Sequence, residues 1–417
     1  MSVDTSPEAQ FAKAIAAFGP ITSPVILAVS GGSDSTALMH LAAQKFHADQ
    51  LYVVSVDHGL RPEAKDEISQ VAQQAAKLGL HHQIANWHWD GQGNLQASAR
   101  SGRWTALADA AWARGANWIL TGHTQDDQVE TLLMRLARGS GVDGLTGMAR
   151  QTSRDGLQLG RPLLEVSRAG LLDWLMANGI GWSDDPSNDD PRFDRVRARQ
   201  MAEQLQSLGL TEKRVLQTID HMRAAQTTLQ EAAASFAGTQ VVQDQGDLIL
   251  SHDVLRLDRS DTPRRVFAAA LRWVANRDYR PRFEQLLSVA EQALDGQTVT
   301  LGGVILTAEA DGRTRLSRES AATLPTVCDD DGPSIQWDGR WRLNGPFTAG
   351  MTVKALGEGI RECPSWRDVG LPRHSLLASP SVWRDDALVA APLAGLSNGW
   401  SARIVADFHS TAFAIED

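Results

Sequence analysis

A serine- and glycine-rich turn, set between an apolar run and a helical pattern, constrains this fold more than any other feature of the sequence. The apolar run, residues 25–29, has the length and the branched side chains of a buried strand. The turn, residues 30–36, reads SGGSDST, and the apolar positions after it recur at helical spacing. Adjacent glycines let a ligand approach the backbone, and the first N–H groups of a helix attract anions. The stretch therefore predicts a strand, an anion site and a helix, in that order.

The SGGSDS string resembles the PP-loop, the turn that grips pyrophosphate in ATP pyrophosphatases. A Walker A loop is excluded because no lysine follows the glycines at the required spacing. Asp34 suits a Mg²⁺ ion that bridges phosphates, since Mg²⁺ takes one or two carboxylates together with phosphate oxygens. An ordinary glycine-rich turn is the alternative interpretation. The resemblance implies that ATP is bound by Ser30, Gly31, Gly32, Ser33, Asp34 and Ser35.

Strand candidates alternate with helical patterns through the N-terminal part of the chain. After the first strand, further strands are predicted at residues 51–56, 82–85 and 118–120. This alternation predicts an α/β fold with a doubly wound parallel sheet and helices on both faces. Polar turns follow three of the strands, at residues 30–36, 57–61 and 121–127. Because ligands bind beyond the carboxyl ends of parallel strands, we expect these turns to form one site.

The length of 417 residues predicts two or three domains rather than a single core. We expect residues 1–200 to form the α/β domain. Residues 201–320 are rich in Gln, Ala and Leu and predict a helical domain. Residues 321–417 carry short strand patterns broken by Gly, Pro and Asp, which predict a small α+β domain.

Composition restricts the location and the partners of the protein. Cys328 and Cys363 form neither a disulfide framework nor a CxxC pair, which favours a reducing compartment. The sequence shows no signal peptide and no apolar stretch of membrane-spanning length, so a cytoplasmic location is expected. The net charge of −10 argues against a surface that is basic throughout, but it is compatible with a local basic footprint.

A second polar string, GHTQDDQVET, follows the fourth predicted strand. If the string is helical, His123, Asp127 and Glu130 fall at i, i+4 and i+7 and share one face. Two carboxylates on that face could hold Mg²⁺ or the ammonium group of an amine substrate. The alternative is a first helical turn that favours acidic residues behind an N-cap at Thr124. That alternative explains Asp126 and Asp127, explains Glu130 less well, and does not explain His123.

Arginines recur at positions where they could meet phosphate. In DHGLR, His58 could position a substrate group and Arg61 could contact phosphate. Arg100 and Arg103 lie three residues apart on one face of a predicted helix, facing either the loop or solvent. A compact positive element consists of Arg195, Arg197 and Arg199. A solvated charged face is the alternative for that element.

Another basic segment, residues 264–282, carries six arginines, with Trp273 and Tyr279 interleaved. It could bind an RNA backbone, because arginine neutralises phosphate and aromatic rings stack on bases. Arginines on an ordinary helix surface are an equally good interpretation.

Six strings occur along the chain in a fixed order, and together they resemble the tRNA(Ile)-lysidine synthetase family. They are SGGSDST, DHGLR, ARxxRW, TGHTQDDQVETLLMRLARGSG, RPLL and WxDDPSNxD. The resemblance is dense over residues 25–200, faint across the helical middle, and returns at residues 357–394. GHTQDDQVET and DDPSN are not generic to PP-loop proteins, which makes the linked set specific. Two positions depart from the family pattern: Val196 replaces a frequent Asn, and Trp104 replaces a Tyr.

The resemblance implies an ATP-dependent ligase that joins free L-lysine to C2 of the wobble cytidine in the CAU anticodon of tRNA(Ile). The product, lysidine, changes codon reading from AUG to AUA. The cytidine oxygen attacks the α-phosphorus of ATP, and the ε-amine of lysine then displaces AMP from the adenylated cytidine. The implied cofactors are ATP and Mg²⁺, the two later domains would bind tRNA, no membrane partner is implied, and a homodimer is allowed.

The resemblance also assigns roles to individual residues. Asp127 and Glu130 would hold lysine or help deprotonate its amine, and His123 and Arg100 would stabilise the adenylated intermediate. Asp34 would act in catalysis as the Mg²⁺ ligand. His58 would join the loop in binding ATP. Substrate binding would fall to Arg61, Arg103, Arg195, Arg197 and Arg199.

Three other classes of protein share parts of this pattern. A tRNA thiolase uses cysteines near its site, but both cysteines lie in the C-terminal region. An amidating synthetase needs a glutaminase with a nucleophilic cysteine, and none is evident. A non-catalytic nucleotide sensor would need neither the paired Asp127 and Glu130 nor the arginine elements. ATP–pyrophosphate exchange separates an enzyme from a sensor.

Overall fold

The computed structural model describes residues 4–59, 64–89, 91–93, 95–184, 192, 194–258, 260–277 and 281–413, with the backbone alone for Ala97. The chain divides into two compact units, Met1–Gln226 and Thr227–Ile415. The division into three domains at residues 200 and 320 stays a prediction. Within the described residues, no helix combines the length and the apolar character that crossing a membrane requires.

The first unit alternates strands and helices as the sequence predicts. Its elements are α1 Pro7–Ala17, β1 Val25–Ala28, α2 Ser33–Lys45, β2 Leu51–Asp57, α3 Ala64–Lys77, β3 His81–Asn86, α4 Leu95–Trp112, β4 Trp118–Thr121, α5 Gln125–Ala137, α6 Val142–Leu145, β5 Gln151–Arg154, β6 Leu157–Gly160, α7 Arg168–Ala177 and α8 Asp194–Gln206. A long helix, α9 Glu212–Gln240, begins in this unit and continues past its last residue.

The strands of the first unit form a sheet of order β3-β2-β1-β4-β6-β5. All neighbours are parallel except β5 and β6. The predicted parallel sheet is therefore confirmed, and β1 lies at its centre, between β2 and β4. The antiparallel hairpin was not predicted. It closes at Asp155 and Gly156, both with positive φ, and the polar strand before it lacks the apolar alternation of a strand.

Residues of the central strands point alternately to the two faces of the sheet, because side chains on a strand alternate in direction. Val25 and Leu27 of β1 pack into a core with α1, α2, α3 and α7. Ile26, between them, packs on the other face against α4. Burial on both faces makes β1 a continuous apolar run and leaves its carboxyl end, where the SGGSDST turn begins, at one edge of the sheet.

The second unit combines helices with three antiparallel sheets. Its elements are β7 Val241–Asp244, β8 Asp247–Leu250, α10 His252–Leu255, α11 Asp261–Ala275, α12 Phe283–Leu294, β9 Val299–Leu301, β10 Val304–Ala308, β11 Thr314–Arg318, β12 Thr326–Val327, β13 Gly332–Trp337, β14 Trp341–Phe347, β15 Met351–Ala355, α13 Arg373–Leu377, β16 Pro380–Arg384, β17 Ala387–Ala390, β18 Ser401–Ile404 and α14 Phe408–Thr411. The sheet orders are β7-β8-β11-β10-β9, β12-β15-β16-β17 and β13-β14-β18.

The middle of the chain is less purely helical than the sequence predicts. Helices α9 to α12 are present, but so is the five-stranded sheet β7-β8-β11-β10-β9. Its strands are three to five residues long, too short to give a clear period of two. Tight turns join them, at Gln245–Gly246 and at Gly302–Gly303, where Gln245 and both residues of the second turn have positive φ.

Candidate active site

The SGGSDST turn links β1 to α2, as predicted. Gly31 has a φ of +99°, a conformation that side chains other than glycine rarely adopt. Gly32 is the N-cap of α2, and because glycine has no side chain, the first N–H groups of the helix remain available to a ligand. The hydroxyl of Ser35 accepts from the Ser30 N–H at 3.2 Å and donates to the Gly32 carbonyl at 3.0 Å. Ser35 thus closes the turn by two hydrogen bonds to its backbone.

Gly122, at the end of β4, lies directly against this loop. A Cβ atom at Gly122 would stand 2.8 Å from the Asp34 carbonyl oxygen and 3.0 Å from the Ser35 nitrogen. Only glycine lets these backbones approach so closely. The contact brings the start of the GHTQDDQVET string to the PP-loop, as the shared placement at strand ends predicts.

Three carboxylates from the two strings converge on one guanidinium group, that of Arg168. Its Nε donates to Asp34 Oδ2 at 3.1 Å. Its Nη2 lies 3.7 Å from Asp127 Oδ1, and its Nη1 lies 3.7 Å from Glu130 Oε1. The Arg168 backbone N–H donates to Asp126 Oδ2 at 2.7 Å, so the first turn of α7 is held beside α5. Asp34, Asp127 and Glu130 therefore lie at one site, beside the PP-loop.

Burial shifts the titration of these carboxylates. It raises the pKa of Asp34, which the nearby Asp127 also raises and the Arg168 charge opposes. Burial likewise raises the pKa of Glu130, and the Arg199 charge opposes it. Only 3% of the Glu130 side chain is exposed. Its Oε2 atom is buried and has no hydrogen-bond partner among the described residues. An unpaired buried oxygen is costly, and it marks a position that a cation or a donor can fill.

Asp127 has a dual position. Its Oδ2 accepts from the Thr124 N–H at 2.8 Å and from the Thr124 hydroxyl at 3.1 Å, which forms a capping box at the start of α5. The N-cap at Thr124 is thus real, but Asp127 Oδ1 still faces Arg168. His123 precedes this cap, so the expectation that His123, Asp127 and Glu130 share one helical face is wrong for His123. Thr124 has extended φ and ψ, and the helix begins only at Gln125.

His123 lies among positive charges from distant parts of the chain. Burial lowers its pKa to about 4, Asp127 opposes the shift, and Arg161, Arg195 and Arg100 lower the value further. The hydroxyl of Thr121 lies 2.9 Å from His123 Nδ1. The imidazole is therefore neutral at pH 7. The charges of Arg100 and Arg195 both act on this imidazole.

His58 lies at the carboxyl end of β2, beside Trp87, which follows β3. The two rings meet edge to face with centroids 5.5 Å apart. Desolvation lowers the pKa of His58, and Arg103 lowers it further, which places Arg103 nearby. His58 Nδ1 is buried without a hydrogen-bond partner among the residues described. Arg61 lies outside the described residues.

The arginine element lies in the first turns of α8 and is helical. Arg195 and Arg197 are exposed, whereas Val196 is buried. Arg199 turns inward, and its Nε and Nη2 both lie 3.0 Å from Glu130 Oε1. Two arginines of the element therefore face outward, and one is part of the carboxylate site.

The second basic segment is partly neutralised inside its own unit. Arg264 and Arg265 both form ion pairs with Asp261, one turn earlier in α11. Arg265 and Trp273 are buried. These three side chains therefore pack within the unit. Tyr279 and Arg280 lie outside the described residues.

A metal ion is compatible with the residues present. No group of three or more His, Cys, Asp or Glu side chains that could hold a metal by itself occurs in the described part of the chain. Mg²⁺ does not need such a group, because it takes phosphate oxygens and waters together with one or two carboxylates. Asp34, in the first turn of α2, supplies a carboxylate of the preferred type beside the PP-loop.

Part of the WxDDPSNxD string also contacts the loop. The Ser183 N–H donates to the Gly31 carbonyl at 2.9 Å, and the Ser183 hydroxyl donates to Gln70 Oε1 at 2.9 Å. Trp182 Nε1 donates to Asp184 Oδ1 at 3.0 Å. Residues 185–191 lie outside the described residues.

The sequence reasoning missed three members of this site. No motif singles out Arg168, which follows the RPLL string and the N-cap Ser167. Asp126 fits an ordinary acidic first helical turn, yet it fixes the backbone of Arg168. Gly122 stands in the sequence only as part of a longer string. An arginine at the first helical position, where the helix dipole disfavours a cation, was the one available signal for Arg168.

Comparison with known proteins gives the site a family. Residues 4–205 match the family described as a PP-loop domain. The tRNA(Ile)-lysidine synthase of Ruegeria pomeroyi is 41% identical over 91% of this chain and 90% of that protein. The tRNA(Ile)-lysidine synthase of Methylobacterium sp. (strain 4-46) is 38% identical over 71% and 89%. That of Rhodopseudomonas palustris is 50% identical over 44% and 55%. The chain is therefore an ATP-binding, tRNA-modifying ligase and belongs to the tRNA(Ile)-lysidine synthase family.

Proposed function

We propose that this enzyme joins the ε-amine of free L-lysine to C2 of the wobble cytidine in the CAU anticodon of tRNA(Ile), through an adenylated cytidine. The observation that carries the proposal is the convergence of Asp34, Asp127 and Glu130 beside the PP-loop. A phosphate cradle next to buried carboxylates suits a reaction between ATP and a cationic amine. The family membership and the outward-facing arginines of α8 support a tRNA as the acceptor.

The first half-reaction forms the adenylated cytidine. The cytidine oxygen attacks the α-phosphorus of ATP, the new O–P bond forms, and the bond to pyrophosphate breaks. The N–H groups at the start of α2, behind Gly31 and Gly32, bind the departing pyrophosphate. Bound Mg²⁺, held by Asp34, would neutralise phosphate charge. The neutral His123 can donate or accept one hydrogen bond to the intermediate without adding charge.

The second half-reaction joins lysine to the base. A lysine ammonium held at Asp127 and Glu130 must lose a proton before its nitrogen can attack C2. Glu130 suits this transfer because burial raises its pKa and leaves its Oε2 unpaired. The amine nitrogen then forms the C–N bond, the C2–O bond breaks, and AMP leaves with the oxygen.

The buried cysteines give no support to thiolation. Cys328 and Cys363 both lie in the second unit and are buried. A thiolase needs a reactive or cluster-binding cysteine at the adenylation site. Among the described residues around the PP-loop there is none. The homodimer and the cytoplasmic location stay predictions.

The test measures two products from one reaction mixture. A CAU-anticodon tRNA(Ile) transcript is incubated with ATP, Mg²⁺ and radiolabelled lysine, and both pyrophosphate release and label in RNA are counted. We expect Asp34→Asn to lose both products, because pyrophosphate can no longer be released efficiently. Glu130→Gln should retain pyrophosphate release but lose at least nine-tenths of the lysine label, a tenfold loss for about 1.4 kcal/mol of transition-state stabilisation.

Asp109→Asn, which changes an exposed carboxylate on α4, is the matched control and should behave as the wild type. Pyrophosphate release without any lysine in the RNA of the wild-type reaction would contradict the lysidine assignment. Loss of both products in Glu130→Gln would contradict the division of roles.

A further inference from the structure

Arg168 occupies the carboxylates that the proposed function gives to lysine. Its guanidinium reaches Asp34, Asp127 and Glu130 at once, and its side chain is only 22% exposed. Asp127 Oδ2 already accepts from Thr124, so an ammonium group bound between Asp127 and Glu130 would need Asp127 Oδ1, the oxygen that Arg168 faces. The guanidinium and the ammonium cannot both hold that oxygen.

The contacts of Arg168 are uneven in a way that favours release. The Nε atom is within hydrogen-bond distance of Asp34, at 3.1 Å. The Nη atoms lie 3.7 Å from Asp127 and Glu130, beyond a hydrogen bond, so these contacts are electrostatic only. Glu130 keeps an unpaired buried Oε2 although Arg168 and Arg199 are both close. The Arg168 guanidinium therefore balances the negative charge of the carboxylates but leaves Glu130 Oε2 without a hydrogen bond.

The backbone of Arg168 is fixed beside the PP-loop. Its N–H donates to Asp126, and the Ser167 hydroxyl caps α7 by accepting from the Gly170 N–H at 3.1 Å. From this fixed point the side chain already touches Asp34, a residue of the PP-loop. Phosphates held at the start of α2 would therefore lie within its reach, and arginine is well suited to phosphate.

We propose that Arg168 is a displaceable counter-ion: it covers the amine-binding carboxylates in the free enzyme and moves to the phosphates when ATP binds, which opens the carboxylates to lysine. The inference rests on the proposed function. Its consequence is that lysine binds weakly to the free enzyme and strongly to the nucleotide complex. ATP and lysine then stabilise each other's binding, and the coupling runs through one side chain.

The test measures lysine affinity by calorimetry, with and without a non-hydrolysable ATP analogue and Mg²⁺. In the wild type we expect the analogue to tighten lysine binding at least tenfold. In Arg168→Gln, which removes the competing cation, lysine should bind the free enzyme several-fold more tightly, and the effect of the analogue should fall to threefold or less. Arg154→Gln is the matched control. It removes an arginine that pairs with Asp155 at the β5–β6 turn, and it should couple as the wild type does.

The outcomes separate the inference from the function on which it rests. Full coupling in Arg168→Gln, with both ligands bound, would overturn the counter-ion role and leave the proposed function intact. Absence of lysine binding to the wild type in both conditions would instead overturn the proposed function. If Arg168→Gln does not fold, Arg168→Lys decides. Its single ammonium cannot face all three carboxylates, so coupling equal to the wild type would again overturn the inference.

Discussion

His123 is the residue whose environment departs most from what its place in the sequence suggests. The spacing of the string predicts His123 on one helical face with Asp127 and Glu130. It lies instead before the N-cap of α5, buried, with the charges of Arg161, Arg195 and Arg100 acting on it. Burial outweighs the attraction of Asp127, and its pKa falls to about 4.

This pKa predicts how stability depends on pH. The folded value, about 4, lies below the ordinary 6.5, so between these pH values the unfolded chain binds the proton and the folded chain does not. Stability from His123 is complete above pH 6.5 and is lost as the pH falls through 4. The difference between the two values corresponds to roughly 3 kcal/mol in the limit. The free energy of unfolding in urea should therefore fall less between pH 7 and pH 4.5 in His123→Gln than in the wild type.

His47→Gln, at an exposed position, is the control for this measurement and should follow the wild-type pH curve. Parallel curves for the wild type and His123→Gln would contradict the burial of a neutral imidazole.

The sequence predicts those site residues that lie close together in one motif, and it does not predict those whose partners are distant in the sequence. The turn glycines and Asp34 are predicted because they lie together in the SGGSDST string. Glu130 is predicted because it lies near Asp127 in the GHTQDDQVET string. Arg168 was not found, because its partners lie far from it in the sequence and only the packing of α7 beside α5 brings them together. The resemblance gives Arg199 a role in substrate binding only, since nothing in its sequence neighbours indicates that it faces Glu130.

Strand β11 carries a buried cation, Arg315, that has three acidic partners. Arg315 contacts Asp247 at 3.0 Å and Asp244 at 2.8 Å, and it also pairs with Glu309. Burial raises the pKa of Asp247 to about 6, and the Ser375 hydroxyl donates to its Oδ2. The negative charges of Asp244, Asp247 and Glu309 are therefore balanced by the guanidinium of Arg315.

Arg315→Gln should destabilise the second unit by about 3–5 kcal/mol, the range for removing one partner from a buried ion pair. Arg313→Gln is the matched control, because Arg313 pairs with Asp311 on the surface and such pairs contribute about 0–1 kcal/mol. Urea unfolding of the full chain, followed by tryptophan fluorescence, measures both. Equal effects of the two substitutions would show that the buried network has no special role in stability.

Elements with a strong period were predicted, and short elements were not. Strands β1, β2 and β4 are apolar runs buried on both faces, and their bounds agree with the prediction to within one or two residues. Strands β7 to β11 are short, and they are ordered by pairing with one another in a single sheet. Their identity depends on the partner strand more than on their own residues, which is why the sequence alone indicated a helical domain.

The whole molecule is acidic, yet its proposed substrate is a polyanion. Lys and Arg together number 40 and Asp and Glu number 50. General attraction to nucleic acid is therefore weak, and contact depends on a few exposed arginines such as Arg195 and Arg197.

Removing one such contact should change the salt dependence of tRNA binding. Each phosphate contact contributes about 0.7–0.9 to the slope of log K against log salt concentration. Arg195→Gln should lower that slope by about this amount, as measured by filter binding over a salt series. Arg154→Gln, remote from α8 in the sequence, should leave the slope unchanged. An unchanged slope in Arg195→Gln would exclude Arg195 from the phosphate contacts.

The hydrogen bond between Ser183 and Gly31 has a consequence for the loop as a whole. The Gly31 carbonyl accepts from the Ser183 N–H at 2.9 Å and from the Thr36 hydroxyl at 3.2 Å. That carbonyl belongs to the same rigid peptide plane as the Gly32 N–H, which must point the opposite way. The Ser183 N–H and the Thr36 hydroxyl therefore fix the Gly31 carbonyl at one edge of this peptide, and by doing so they fix the direction of the Gly32 N–H at the opposite edge. A pair of adjacent glycines is thus preorganised, and a phosphate that arrives at the loop has less backbone entropy to remove.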